Sequence, residues 1–334
     1  MFCSDPFQLS NPEDRFVDVL RETRGMPVVV RLRALASFEF PAPGQGRTRF
    51  RYQRLAEVAA DDLSLARLVE GHFDAQAIIA ESGLAPEQDR VFAVWVAGQP
   101  LKRENSDDTI TLNGRKQYCS GYGMTDRALV DASDGSGTFL YLVDARAPSP
   151  LPQSWPSVGM SDSASLTLDF EALNVIGPVG NSGFYQDRPG FWNGSGNVAA
   201  CWYGGALGLA RRAKHAAENR PDSYGIAGEM AVHLSQMRHA LMQTADDIDS
   251  CPSPAPEVRE ARALVLRDIV YRGCNAVYAL ALELGGTSLS THCAEQGRAL
   301  ADLPIYLRQF HPTRDRTRLG QLLTTLEDGG SSGG

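Results

Sequence analysis

Thr109-Ile-Thr-Leu-Asn-Gly-Arg-Lys-Gln-Tyr-Cys-Ser-Gly121 is the stretch on which the fold turns. Residues 109–112 and 116–120 read as strands, and Asn113-Gly114 between them is the strongest hairpin signal in the chain, because both residues tolerate the positive φ of a two-residue turn. Residues 91–96, 128–130 and 138–143 are further short runs rich in β-branched and aromatic side chains. Leu166, Leu168 and Phe170 alternate with Thr167 and Asp169, the pattern of a half-buried strand.

Helical patterns lie on both sides of this β region. Upstream, Asn11 followed by Pro12, Glu13 and Asp14 is a helix start, with a capping side chain, Pro in the first turn and acids against the dipole. Leu55, Val58 and Ala59 recur at helical spacing. Asp61 or Asp62 can cap a helix bearing Leu65, Leu68, Val69, Phe73, Ala77 and Ile78, which Ser82-Gly83 would end. Downstream, residues 181–196 are rich in Gly, Asn and Pro and read as a loop between domains. Residues 199–217 follow, dense in Ala and Gly, with Gly204-Gly205-Ala206-Leu207-Gly208 suited to close approach of another backbone. Long helices are expected over 229–249 and 257–284, parted by Cys251-Pro252-Ser253-Pro254 and ended by Gly285-Gly286, with shorter helices beyond. Helices, then strands, then helices is a segregated order, so the fold class is α+β and not an alternating βαβ sheet. The expected division is a short N-terminal helical domain (1–90), a central β domain (91–185), a helical bundle (186–327) and a flexible tail (328–334).

Bulk properties exclude several classes. The 334 residues are 43% hydrophobic and 22% charged, with net charge −8 and no block of Lys or Arg, so no nucleic-acid partner is expected. Lys102, Lys116 and Lys214 are the only lysines. Arginine therefore carries nearly all the positive charge, which suits phosphate and carboxylate contacts, but a biased codon composition explains the same fact and is the preferred reading. The six cysteines, at 3, 119, 201, 251, 274 and 293, have no metal or C-x-x-C spacing. His233, Gln236 and His239 on one helix read as a polar face rather than a metal site. No leader peptide and no apolar run of membrane length is read, so a cytoplasmic protein is expected. Walker, G-x-S-x-G, H-E-x-x-H and strand-following G-x-G-x-x-G motifs are absent.

Gly114-Arg-Lys-Gln-Tyr-Cys-Ser-Gly121, followed by Asp126-Arg-Ala-Leu-Val130, resembles the acyl-CoA dehydrogenase segment in which a Gly-x-Lys strand runs into an aromatic-x-Thr/Ser step beside the flavin. Further segments resemble that family in its own order. They are Asp61 to Ile79, Val158-Gly-Met-Ser-Asp-Ser-Ala-Ser165 with the strand after it, Gly180 to Phe191, Ala206-Leu-Gly-Leu-Ala210 and Leu282-Glu-Leu-Gly-Gly286.

The resemblance implies an acyl-CoA dehydrogenase-like fold ending in a four-helix bundle, FAD as cofactor, an acyl thioester or similar small acyl substrate, and a homodimer or homotetramer. It puts Tyr118 over the isoalloxazine face and Ser120 at hydrogen-bonding distance of its N5 region. Gly285 and Gly286 become the turn approaching the cofactor, and Arg220 the arginine that reaches a pyrophosphate, although an ordinary loop arginine fits as well.

The chain also departs from the family. Phe92-Ala-Val-Trp-Val-Ala-Gly-Gln-Pro100 stands where the family carries Thr-Glu-Pro-x-x-Gly-Ser-Asp. Trp95 either compensates by stacking on the flavin or is a core tryptophan. The two positions of the family's catalytic glutamate fall at Phe310-His311 and Val198-Ala199, and neither is acidic. His311 is the acid/base candidate, since imidazole titrates near neutrality; alternatively it is a structural residue ahead of a helix capped by Thr313. Three functions follow. α,β-Desaturation by an FAD-dependent oxidoreductase ranks first. The others are a flavin-dependent monooxygenase on the same scaffold and a non-catalytic partner subunit.

Overall fold

The computed structural model describes residues 14–106, 109–217, 223–284 and 294–330. Its helices in chain order are α1 (Arg15–Glu22), α2 (Val28–Ala36), α3 (Thr48–Asp61), α4 (Leu63–Glu81), α5 (Phe184–Asp187), α6 (Pro189–Ala217), α7 (Tyr224–Ser250), α8 (Pro256–Glu283), α9 (Ala294–Leu307) and α10 (Pro312–Gly330). Its strands are β1 (Phe92–Trp95), β2 (Leu101–Ser106), β3 (Thr109–Cys119), β4 (Arg127–Ser133), β5 (Thr138–Asp144), β6 (Ser149–Pro150), β7 (Leu166–Asn174) and β8 (Gly177–Pro178). The chain forms two compact units. One comprises Asp18–Phe40 and Arg67–Phe191; the other comprises Met1–Val17, Pro41–Ala66 and Trp192–Gly334.

The first unit is built on an 8-stranded sheet in the order β6-β7-β3-β2-β4-β5-β8, with β1 paired in parallel to β4. Period-2 alternation divides its apolar residues between two faces. Trp95, Leu112, Val130, Tyr141, Leu168 and Phe170 share one core. Phe92, Leu129, Leu140 and Val179 form the other, with Ala75, Ile78 and Ile79 of α4. Asp126 joins the start of β4 to its surroundings: its carboxylate accepts from Arg33, Arg146 and the Val91 N–H. Burial works to raise this carboxyl, and those donors hold it below its ordinary range.

In the second unit the glycines of α6 set the packing. A Cβ at Gly204 would lie 2.3 Å from the Ala56 carbonyl oxygen of α3, and one at Gly208 would lie 2.5 Å from that of Ala60. Backbone atoms cannot yield, so the two helices cross at a distance that only glycine permits. Ala199 through Ala210 are buried within the chain itself, and the poorly polar face of this helix needs no sister subunit to cover it. Helices α7 and α8 pack through Met237, against which Gly273 and Cys274 lie. Paired Arg316–Asp268 and Arg318–Glu260 bridges join α10 to α8.

Several elements differ from expectation. Asn113-Gly114 makes no hairpin. β3 runs straight through it, opposite a bulge in β7 where Glu171 and Ala172 face the single Asn113; Gly114 takes φ +120°, and the Asn113 side chain accepts the Ala172 N–H at 2.7 Å. The positive φ that Gly114 tolerates, and would use in a turn, serves the irregular register opposite that bulge instead. Strand β3 pairs instead with β2, whose polar sequence Leu-Lys-Arg-Glu-Asn-Ser hides a mostly exposed strand. Residues 189–196 are helix, not loop, because Pro189 starts α6 and the glycines after it serve packing. Asp14 accepts the Phe16 N–H at the head of α1; the expected helix start at Asn11 lies outside the described residues. Asp62 caps α4 through the Leu65 N–H. Ser82-Gly83 ends it, with Gly83 at φ +84° and Leu84 N–H bonded to the Ile79 carbonyl.

Candidate active site

The C-terminal end of β3 is a second bulge. Lys116 opposes Leu168 of β7 and Cys119 opposes Leu166, so two residues, Gln117 and Tyr118, face the single Thr167. Such a bulge turns a side chain away from the pleat. Here it is Tyr118, at φ +59° and 57% exposed. A left-handed conformation is unfavourable for a bulky side chain and persists only where its surroundings enforce it.

The surroundings do so from two directions. Beneath the bulge the Lys116 side chain is fully buried, and its ammonium pairs with Asp131 of β4 and donates to the Gln99 carbonyl at 2.9 Å. Burial raises the Asp131 carboxyl and Lys116 opposes the shift, with the net direction upward. Beyond the bulge, Ser120 N–H closes a tight turn onto the Tyr118 carbonyl at 2.9 Å, and Gly121 N–H donates to the Ser163 carbonyl at 2.8 Å.

Ser163 belongs to a short 3-10 turn, Ser161–Ser163, flanked by Met160 and Ala164, both left-handed. Three non-glycine residues with positive φ therefore meet at one place. The hydroxyls of the serines beside them continue the link: Ser120 Oγ lies 2.8 Å from Ser165 Oγ, Ser165 Oγ 2.8 Å from Ser163 Oγ, and Ser163 Oγ 2.7 Å from the Met160 carbonyl oxygen. Trp155 Nε1 donates to the same carbonyl at 3.0 Å. Cys119, between Tyr118 and Ser120, points into the core. Burial pushes its thiol up to about 12 against the pull of Lys116, so it is no nucleophile at neutral pH.

The other expected site residues fall as follows. Trp95 is 1% exposed in the sheet core, and its indole N–H donates to the Ser120 carbonyl at 2.8 Å. That corrects the stacking expectation: the ring supports the Ser120 backbone from inside and offers no free face. His311 is exposed at the head of α10. The helix begins at Pro312, ahead of Thr313, so His311 occupies the capping position; its carbonyl accepts from Asp315 N–H at 2.9 Å. Arg220, Gly285 and Gly286 lie outside the described residues. Ser163 and Ser165 were not singled out in the sequence, although two hydroxyls flanking Ala164 in the Gly-Met segment were the available signal.

One further carboxyl stands out. Glu70 of α4 is buried, and burial, opposed by Arg67 and reinforced by Asp74, pushes it up to about 8.

No family model and no curated protein matches the chain. Solved structures do. Methanesulfinate monooxygenase MsuC from Pseudomonas fluorescens aligns with TM-score 0.77 and 16% identity over 95% of this chain and 98% of that one. Butyryl-CoA dehydrogenase from Megasphaera elsdenii aligns with TM-score 0.74 and 15% identity over 97% and 99%. The chain has the acyl-CoA dehydrogenase fold. The dibenzothiophene monooxygenase TdsC from Paenibacillus sp. A11-2, solved with FMN and indole, aligns with TM-score 0.75 and 17% identity over 92% and 95%. Dehydrogenases and monooxygenases thus share the acyl-CoA dehydrogenase fold with this chain, and the fold alone does not select between them. Within it, the strained aromatic-x-serine step stands out as an exposed ring on a buried, over-determined support.

Proposed function

We propose that this protein is a flavin-dependent monooxygenase that takes up reduced flavin and acts on a small organic substrate. The observation carrying a flavin is Tyr118, an aromatic face displayed on a strained bulge and followed two residues later by the Ser120 hydroxyl. An aromatic face and an adjacent hydrogen-bonding group suit one edge of an isoalloxazine. Both residues address the ring system common to FMN and FAD. When bound, the flavin supplies the redox chemistry. Tyr118 would cover the ring and Ser120 would hydrogen-bond to its edge, with the support beneath holding both still.

The preference for oxygenation over α,β-desaturation rests on proton chemistry. Desaturation needs a base to remove an α-proton. Of the positions where the resembling family keeps that glutamate, Ala199 is fully buried in α6 and Phe310 is buried beside Trp202 and Tyr271. The desaturase reading, with acyl-CoA as substrate, then falls on His311. That side chain is exposed at the head of α10.

No helix among the described residues is long and apolar enough to cross a membrane, which accords with a cytoplasmic enzyme. A homodimer or homotetramer is supported by an apolar stripe on α8, where Val258, Val265 and Ile269 are exposed.

Anaerobic addition of reduced FMN or FAD, followed by oxygen and candidate substrates, tests the proposal. Oxygen-dependent product in the presence of an NADH:flavin reductase supports it. Bleaching of an oxidised, tightly held flavin by acyl-CoA without oxygen establishes the desaturase instead. A protein that binds neither form of flavin is the non-catalytic partner subunit.

A further inference from the structure

The serine chain beneath Tyr118 has a direction. Its three contacts, Ser120 Oγ to Ser165 Oγ, Ser165 Oγ to Ser163 Oγ, and Ser163 Oγ to the Met160 carbonyl, measure 2.8, 2.8 and 2.7 Å. Two oxygens at such distances need a proton between them. The three hydroxyls supply three protons and the carbonyl supplies none. Only one assignment fills every contact: Ser163 donates to Met160, Ser165 donates to Ser163, and Ser120 donates to Ser165. The three serines are 8%, 7% and 1% exposed for Ser120, Ser165 and Ser163 respectively, so water does not readily replace these bonds. The Met160 carbonyl that sets the direction is itself fixed by Trp155 Nε1. Ser120 therefore keeps only lone pairs for a ligand.

We infer that Ser163 and Ser165 are positioning residues that make Ser120 a one-way hydrogen-bond acceptor, so that the site selects ligands presenting an N–H or O–H at that point. Combined with the flavin reading, on which this step rests, the consequence concerns redox state. The reduced isoalloxazine carries an N–H at N5, where the oxidised ring has a bare lone pair. An acceptor-only serine satisfies the first and faces the second lone pair to lone pair. The serine chain thus discriminates in favour of reduced flavin, as a protein supplied with it from outside requires. Replacing Ser165 by alanine frees the Ser120 proton to point outward and removes the discrimination. Ser163→Ala does the same one step further back, because Ser165 can then donate to Ser120.

Dissociation constants for reduced and oxidised FMN, measured anaerobically by fluorescence and absorbance titration, test this. The wild type is expected to bind reduced FMN at least about tenfold tighter than oxidised FMN, the worth of one hydrogen bond. Ser165→Ala and Ser163→Ala are expected to bring the ratio towards one, chiefly by tightening the oxidised form. A merely structural lesion would weaken both forms together and leave the ratio alone. A wild-type ratio of one, or a ratio unchanged in both variants while flavin still binds, overturns the inference and leaves the flavin reading standing. Binding of neither form by the wild type overturns both.

Discussion

The end of β3 and the glycine face of α6 both break local rules, and they break them in opposite directions. At Gly204 and Gly208 the exception points inward: poor helix formers sit mid-helix because the α3 backbone lies within 2.5 Å of where a Cβ would be. At Tyr118 the exception points outward, where a large residue takes a glycine-like conformation and leaves its ring in solvent. An inward exception is explained by what it packs against. An outward one is not explained by packing among the described residues, and strain maintained for an exposed side chain is what the proposed flavin site accounts for.

Lys116 gives the largest expected effect, because it is the root of the outward exception. Lys116→Met leaves Asp131 buried without its cation and is expected to cost about 3–5 kcal/mol in denaturant unfolding. Replacing Asp131 by leucine as well should restore most of that loss. Recovery of stability without recovery of flavin binding would show that the pair shapes the bulge as well as the core.

The inward exception comes next. Gly204→Ala is expected to cost about 2–3 kcal/mol, read as a lowered melting temperature, since the clashing atom is a backbone oxygen.

Glu70 sharpens the contrast as an inward exception that titrates. Its native carboxyl is raised to about 8, above the value near 4.3 of an unfolded chain. The native state therefore holds a proton that the unfolded state loses, and stability falls as pH rises from about 4 to 8. Glu70→Gln should flatten that dependence and change stability at pH 5 by less than about 1 kcal/mol. A pH profile identical to that of the wild type would contradict the raised carboxyl.

The parts that were legible in the sequence are those where side-chain period and chain conformation agree. The long helices α7 and α8 lie within a few residues of their expected ranges, and Asp62, Ser82-Gly83 and the close-approach glycines of α6 act as read. Legibility failed where one signal serves two geometries. Asn113-Gly114 fits a turn and an irregular strand register alike, and only the antiparallel partner β7, about 60 residues on, decides between them. The Gly-rich stretch before Ala199 looked like loop because its packing partner α3 is far away in sequence. At the site, Tyr118 and Ser120 could be marked from their spacing. The supporting Lys116–Asp131 pair and the Ser163 and Ser165 hydroxyls could not, since each depends on contacts between strands or turns remote in the chain.

The smallest effect on stability is expected at the most telling position. Tyr118→Gly relieves a left-handed side chain while adding backbone freedom to the unfolded chain, so the unfolding free energy should move by no more than about 1 kcal/mol. Affinity for reduced flavin should fall about tenfold, the contribution of one aromatic face, while Tyr118→Phe binds like the wild type. A titration of all three proteins with reduced FMN therefore tests the central claim. Wild type and Tyr118→Phe together, with Tyr118→Gly about tenfold weaker at unchanged stability, is the predicted result; equal affinity in all three would show that the exposed ring at the end of β3 does not face a flavin.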